Sequence, residues 1–579
     1  MPIMRFLFVA GAAALTTGPA RRAGSTVRMS AAPPGDAPAV AAPAVAPADA
    51  RPHAVVVGGG WAGLGAAKAL RESGCRVTLL DAGDPSAAMT TETGKPFEPG
   101  MRGFWKDYPN INALGDELNI VGAYSPFTES SFFGPQGLEC TAPVFGDGPA
   151  LPSPLGQVFA SFDRFKRLPV LDRLSIVGLL AAMLDLNRSP EVFAAYDRMS
   201  AHELFKTLGV SKRLVDDFLK PTLLVGLFKP PEELSAAVVM ELLYYYALAH
   251  QTSFDVRWLA RGTVQTTLLK PLVDKLAEDG VEVKPRCFVE ELVYDGSNDA
   301  VKTVRFRDGA SGESMAIDDV DAVVLALGAT GMKKVMGKSN DLAARCPELA
   351  AAASLNAIDV VSVRIWFDEV VQTDTPVGVF SRFEELRGAG GTFFMLDQLQ
   401  KDDLDALWGG DNSTKRGSVL SCDFYNGGAV ATLSDDEIVR LLSKVLLPKA
   451  YSAFRSANVV DSCVKRFPSA VSWFSPGSFG KRPPLQTSVA NVACAGDWVR
   501  MGDREHGAKG LCQERALVSG YEAANSLAAG GALGAAMRRK ERTVLPIRDD
   551  EPAYLAGVRA NGLVQGALDR VGLGSFWVR

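Results

Sequence analysis

The sequence is poor in the groups that most hydrolytic and metal-dependent chemistries require. It has only four histidines, His53, His202, His250 and His506. They follow no Ser-His-Asp order and no metal-ligand spacing, which excludes both kinds of site. Its eight cysteines are scattered singly from Cys75 to Cys512 without a Cys-x-x-Cys pair. Neither a zinc ribbon nor a disulfide framework is indicated, and buried free thiols are expected. An excess of positive charge is also lacking. A formal charge of -5 and a pI near 5.7 leave no broad basic surface, so nucleic acid is excluded as a partner. What is present is a chain of 579 residues with 47% apolar and 22% charged content, enough to bury a large core and build more than one domain.

The first fifty residues differ from the rest. Arg5 precedes a short apolar run from Phe6 to Leu15; small residues with Arg21, Arg22 and Arg28 follow, and no acid occurs before Asp36. The run falls short of the roughly 20 residues needed to span a bilayer. Its basic, acid-poor flanks read as a cleaved signal followed by a transit peptide, and the expected location is a plastid reached through a secretory-type step. The Pro/Ala stretch from Ala31 to Ala50 is expected to be a disordered linker.

The folded part begins with the apolar strand pattern His53-Ala-Val-Val-Val57, then Gly58-Gly-Gly60-Trp61-Ala62-Gly63, then a helical pattern from Leu64 to Ser73. In a strand, turn and helix of this kind, Gly58 permits the turn and Gly60 lets the backbone approach a pyrophosphate. Gly63 allows the helix to pack closely. A second strand, Arg76 to Asp81, ends in an acid 18 positions after Gly63, near the spacing at which a carboxylate meets an adenosine ribose. NAD and FAD share this unit. Far downstream, Asn491-Val-Ala-Cys-Ala-Gly496-Asp497-Trp498 reads as a strand ending in Gly-Asp, where Asp497 can reach a ribityl hydroxyl. The small-residue helix around Glu514, Ala516 and Ser519 can aim its N-terminal dipole at a flavin pyrimidine.

An N-terminal Gly-x-Gly-x-x-Gly unit paired with Ala-Gly-Asp-Trp and a helix resembles the flavin amine oxidase superfamily. Glu98-Pro-Gly100-Met101-Arg102, then Tyr108-Pro-Asn110, Leu151-Pro-Ser-Pro-Leu155, Phe228-Lys-Pro-Pro-Glu-Glu-Leu-Ser235, Val363 to Asp368 and Phe380-Ser-Arg382 narrow it. In order and content they resemble the phytoene and zeta-carotene desaturase branch. The resemblance implies an α/β fold: a Rossmann-like, p-hydroxybenzoate-hydroxylase-like FAD-binding domain with an inserted α+β substrate domain and a face that dips into a membrane. It implies FAD held by Gly58, Gly60, Trp61, Ala62, Gly63, Asp81, Ala82, Gly100, Met101, Arg102, Gly496, Asp497, Glu514 and Ala516. Val289 is added as an adenine contact and Gly328 as a turn near the cofactor.

Three departures stand out. The Gly-Gly-Arg segment expected after Asp81 is replaced by Ala82-Gly-Asp-Pro-Ser-Ala-Ala-Met-Thr90-Thr91, so Thr90 or Thr91 is expected to contact FAD instead. Arg102 stands where the branch often has histidine, and Arg515 where a small residue is usual.

The resulting plan assigns residues 1–50 to the targeting peptide and linker. Residues 51–135, 261–335 and 476–530 form the three parts of the FAD domain. Residues 136–260 form a helical substrate region, 336–475 the substrate-domain sheet, and 531–579 a tail. The apolar runs Asp172–Leu186 and Val238–Ala249 are expected as buried helices, with a lipid-facing role for the first as the alternative. The tail, with Arg538–Arg542 and Phe576-Trp577, is expected to be a solvated appendage, with contact to a membrane surface or a partner as the alternative.

The expected activity is hydride abstraction from an apolar polyene or isoprenoid, with a quinone acceptor and peripheral membrane association. Arg102, Glu514 and His506 are the polar candidates near the isoalloxazine. A redox-neutral isomerase or hydratase working on reduced FAD, an amine oxidase, and a flavin-bearing assembly protein stay open.

Overall fold

The structure is a computed structural model that describes residues 51–410, 416–533 and 540–572. The expected targeting peptide and linker, and the end of the tail with Phe576 and Trp577, lie outside these residues.

A five-stranded parallel sheet runs in the order Val492–Cys494, Ala322–Leu325, His53–Val57, Arg76–Leu80, Glu282–Lys284. The central strand is buried along its whole length, as a strand covered on both faces must be, and this accounts for its unbroken apolar run. Val55 pairs with Val323 on one side and Thr78 on the other. The helix Trp61–Glu72 returns over the sheet and packs against the long helix Gln513–Ala529. Two stretches more than four hundred residues apart are thereby joined in one cofactor-binding layer.

The stretch Val281–Val293 divides in two. Glu282–Lys284 completes the parallel sheet. After a turn at Arg286, whose φ is +56°, Cys287–Asp295 opens a separate antiparallel sheet with Ala300–Asp308 and Ser314–Ile317.

The larger sheet has seven strands, ordered Val459–Ser472, Ala357–Phe367, Val419–Tyr425, Gly390–Met395, Val377–Phe380, Ser130–Gly134, Gly137–Ala142. The last two come from the N-terminal third of the chain and close one edge.

Between these layers lie short helices. Ala236–Leu243 is almost entirely buried, as expected for the second apolar run. The first run does not behave as one helix. It breaks into Val170–Leu174 and Val177–Met183; Leu179, Ala182 and Met183 are buried while Leu171, Leu174 and Val177 are exposed. Among the described residues no helix is long and apolar enough to cross a membrane.

The tail is not a solvated appendage. Arg542 pairs with Glu72 and Glu117, and Leu545 exchanges hydrogen bonds with the Asn110 side chain. Arg548 makes a bidentate pair with Asp107. From there the chain enters the helix Pro552–Arg570. Composition alone hid this because each anchor pairs with a residue remote in sequence.

Candidate functional site

The turn after the first strand is built from backbone. Gly58 has φ +110°, and a Cβ there would stand 2.3 Å from the Ala326 carbonyl oxygen; one on Gly63 would stand 1.7 Å from the Gly58 carbonyl oxygen. Both positions therefore exclude a side chain. Gly60 N-caps the helix, with open space beside it, and no side chain caps the helix start at Trp61 and Ala62. Free amides at a helix N-terminus fit a pyrophosphate. At the end of the neighbouring strand, the Asp81 carboxylate accepts from Gly59 N (2.6 Å) and Gly83 N (2.7 Å). It is thus fixed in place, with acceptor capacity left for a ribose.

A cavity of about 550 Å³ opens beyond this turn. At the nucleotide end it is lined by Trp61, Asp497, Cys512, Gln513 and Ala516, and Gly100, Met101 and Arg102 form one side. The wall continues through Phe132, Phe228, Trp258, Val377, Val379 and Phe394 onto the seven-stranded sheet. Arg102 and Asp497 are the only charged residues in this lining. Burial raises the Asp497 carboxyl to about 6, against the pull of Arg515. Trp61 Nε1 and Gln513 Oε1 are buried without a hydrogen-bond partner, as atoms waiting for a polar group are. The uncapped helix, the fixed Asp81 and these unpartnered atoms fit a flavin dinucleotide.

That loop is held from below by buried charges. Asp423 accepts from Met101 N (2.9 Å) and from the Ser362 hydroxyl (2.7 Å). Glu98 accepts from Val264 N (2.9 Å) and lies 3.7 Å from Arg102. Arg364, also buried, donates to the Pro96 carbonyl (2.9 Å). Burial raises the Glu98 and Asp423 carboxyls and lowers the Arg364 guanidinium. Sequence reasoning assigned no role to Glu98, Arg364 or Asp423. The available signal was a charge inside an otherwise apolar strand, as in Val363-Arg-Ile-Trp and Leu420-Ser-Cys-Asp-Phe-Tyr.

The other candidates fall elsewhere. Glu514, fully buried, is not in the cavity lining. It accepts from Asn110 N (2.9 Å), Asn110 Nδ2 (2.7 Å) and Ile111 N (2.9 Å), capping the helix Pro109–Glu117. Burial raises its carboxyl to about 7 despite these donors. His506 sits beside it, with Nε2 2.8 Å from the Leu545 carbonyl, and burial lowers its pKa.

Arg515 pins the loop after Asp497, donating to the carbonyls of Asp497, Val499 and Ala508 and pairing with Glu505. That loop needs a long donor, which explains an arginine where a small residue was expected. Gly496 donates from its amide to Ser519 Oγ (2.7 Å). Val289 is half-buried in the three-stranded sheet opposite Phe306, and Gly328 is an exposed N-cap of Ala329–Met336.

In the loop after Asp81, Ala82 and Thr90 are exposed, and the buried Thr91 hydroxyl bonds Thr93 and Lys95 N within its own hairpin. Thr90 lines a smaller hollow of about 260 Å³ with Thr263, Arg364 and Gln400.

With this geometry, comparison with known proteins is informative. The family model of flavin containing amine oxidoreductase matches residues 61–528. The 15-cis-phytoene desaturase of Arabidopsis thaliana is 28% identical over 467 residues, 79% of this chain and 77% of that protein. The carotenoid phi-ring synthase of Streptomyces griseus is 27% identical over 546 residues, 89% of this chain and 91% of that protein. Among solved structures, the cyclohexylamine oxidase of Brevibacterium oxydans superposes with a TM-score of 0.57 at 15% identity, covering 85% of this chain and 100% of that one, and so shares the fold. This chain belongs to the flavin containing amine oxidoreductase family, in its carotenoid-desaturase-like branch, and is an FAD-dependent oxidoreductase.

Proposed function

We propose that this chain desaturates a carotenoid-type polyene on the surface of a plastid membrane, with a quinone as the electron acceptor. The observation that carries the reading is the cavity wall, which is apolar from Phe132 to Phe394 and has charge only at Arg102 and Asp497. Such a wall suits a long uncharged substrate, whereas an ammonium substrate would call for anionic contacts along the wall. Bound FAD supplies the hydride acceptor. The chain's own part is to orient the polyene, keep water out and fix Arg102 beside the reacting end through Glu98 and the Asp423-held loop. A fixed guanidinium there favours negative charge on its neighbour.

Membrane association is supported by an exposed apolar face that includes Leu155, Phe159, Phe162, Leu171, Leu174 and Val177. Soluble monomers rarely leave such a set in water. Rings connect it to the cavity: Arg173 lies over Phe162 and Phe165, Phe165 packs edge-on against Phe218, and Phe218 packs against Phe132 of the cavity wall. This row of packed side chains joins the exposed face to the cavity wall. The plastid assignment is supported by the basic, acid-poor first fifty residues and by the chloroplastic designation of the Arabidopsis relative. The breadth of the match to the phi-ring synthase favours a second reading, in which the ring end of the polyene is the part acted upon.

The test is the absorption spectrum of the FAD-loaded protein under anaerobic conditions with phytoene liposomes and a plastoquinone analogue. Flavin that bleaches with phytoene and recovers with the quinone supports desaturation. A protein inert until reduced, which then alters the polyene without net oxidation, is an isomerase or hydratase. Bleaching by a soluble amine, with peroxide released in air, identifies an amine oxidase.

A further inference from the structure

The helix Pro552–Arg570 lies beyond residue 528, where the family match ends, and it is built inside out. Its polar residues face the protein. Asn561 donates to Asp185 (3.1 Å), Asp569 pairs with Arg188 (2.7 Å), and Gln565 is 1% exposed. Tyr554 stacks on Tyr244 with ring centroids 4.4 Å apart.

Its outward side carries Ala553, Leu555, Ala556, Ala560, Leu563, Val564 and Ala567 with the charges of Arg559 and Arg570, and Asp569 reaches solvent at its edge. Leu563 is 79% exposed and Val564 59%. A helix on a water-soluble surface turns its apolar stripe inward and its charges outward. Here the order is reversed, and the one acid of the helix that reaches solvent, Asp569, 46% exposed, is already paired with Arg188.

Apolar residues flanked by arginines, with the helix's one acid already paired, match a bilayer surface with anionic headgroups. The alkyl side chains enter the acyl boundary while the guanidinium groups stay at the phosphates. Among the described residues no helix is long and apolar enough to span, so a contact made by this helix is one in the plane of the surface. It also rests along the segment that carries the exposed apolar face: Gly557 packs on Leu184 in addition to the Asp185 and Arg188 contacts. We propose that this C-terminal helix is a second membrane arm, lying in the plane of an anionic bilayer and holding it through Leu555, Leu563, Val564, Arg559 and Arg570. The inference rests on the surface association proposed above and adds to it a second contact and a lipid preference.

Flotation of the full, FAD-loaded chain with phosphatidylcholine vesicles, with and without phosphatidylglycerol, tests the arm. Leu563→Glu/Val564→Glu should weaken partition on the order of tenfold or more, with flavin absorbance and circular dichroism unchanged. Arg559→Glu/Arg570→Glu should lose only the increment due to phosphatidylglycerol. Leu171→Glu, on the other face, serves as the control. If Leu171→Glu detaches the protein while Leu563→Glu/Val564→Glu binds as wild type, the arm is refuted and surface association stands. If all variants and the wild type stay unbound, both readings fail. If vesicle binding is unchanged but a wild-type dimer becomes monomeric in Leu563→Glu/Val564→Glu, the face is a protein interface and the arm is refuted.

Discussion

The two ends of the cavity are made differently. At the nucleotide end the polar work is done by main chain: free amides at the start of Trp61–Glu72, two glycines that admit no side chain, and one carboxylate, Asp81, held by the amides of Gly59 and Gly83. At the substrate end it is done by buried side chains brought from distant strands, with Asp423 under Met101 and Glu98 under Val264 and Arg102. A main-chain site fails when a side chain is added. A side-chain site fails when one is taken away.

The sharpest way to test that contrast is Gly63→Val. Its Cβ would stand 1.7 Å from the Gly58 carbonyl oxygen, backbone that cannot give way. Overpacking of this kind costs about 3 kcal/mol or more, so the variant should purify without flavin or fail to fold. Flavin absorbance per mole of soluble protein measures it, and near-stoichiometric FAD would refute the main-chain description.

Glu514→Gln comes next. The carboxylate takes three N–H groups from Asn110 and Ile111, and an amide presents one acceptor and two competing donors. The loss should be about 2 to 4 kcal/mol. The pH dependence has a definite sign. The folded carboxyl, raised to about 7, binds its proton more tightly than the unfolded one at the ordinary value of 4.5. Its contribution is therefore fully present below the unfolded value and is lost as pH rises through about 7, amounting to at most about 3 kcal/mol. Urea melts at pH 5 and pH 7.5 should show a steeper decline in the wild type than in Glu514→Gln, which keeps only the part due to the other raised carboxyls, Asp497 among them.

Asp423→Asn bears on the other end. It keeps the shape but removes the charge beneath Met101 and Ser362, at a cost of about 1 to 2 kcal/mol. The Gly100–Arg102 loop should loosen, shifting the flavin absorption bands and raising KM more than it lowers kcat. An unchanged spectrum with lost stability alone would make Asp423 a structural group without influence on the site.

The same contrast explains what could be read in advance. The nucleotide end was legible because its glycines, strand pattern and terminal Asp81 lie within thirty residues, and Gly496-Asp497 carries its own local pattern. The substrate end was not, because Arg364 and Asp423 meet only when two strands remote in sequence are placed in register, and Glu98 reaches them from the loop after a separate hairpin. Glu514 and His506 were expected beside the flavin because they adjoin the Asp497 segment in sequence. In the structure Glu514 turns away on the helix Gln513–Ala529 to cap Pro109–Glu117, whereas Ala516, two residues on, faces the cavity. On a helix, a residue and the one two positions on lie on different faces.

The tail supplies the smallest test. Arg548 holds Asp107 through two hydrogen bonds of 2.6 and 2.8 Å, and Asp107 precedes Tyr108, whose hydroxyl meets Tyr246 across the cavity wall at 3.2 Å. The arginine is 40% exposed, so solvent screens the pair and Arg548→Ala should cost only about 1 kcal/mol. If the strap merely adds stability, melting temperature falls slightly and KM for the polyene is unchanged. If it also sets the wall, as its place beside Tyr108 requires, KM rises while flavin content holds, and Arg548→Lys, which keeps one donor and the charge, recovers part of the loss. A variant equal to wild type in both measurements would leave the strap without a role at the site and confine the determinants of substrate fit to the sheet residues around Asp423.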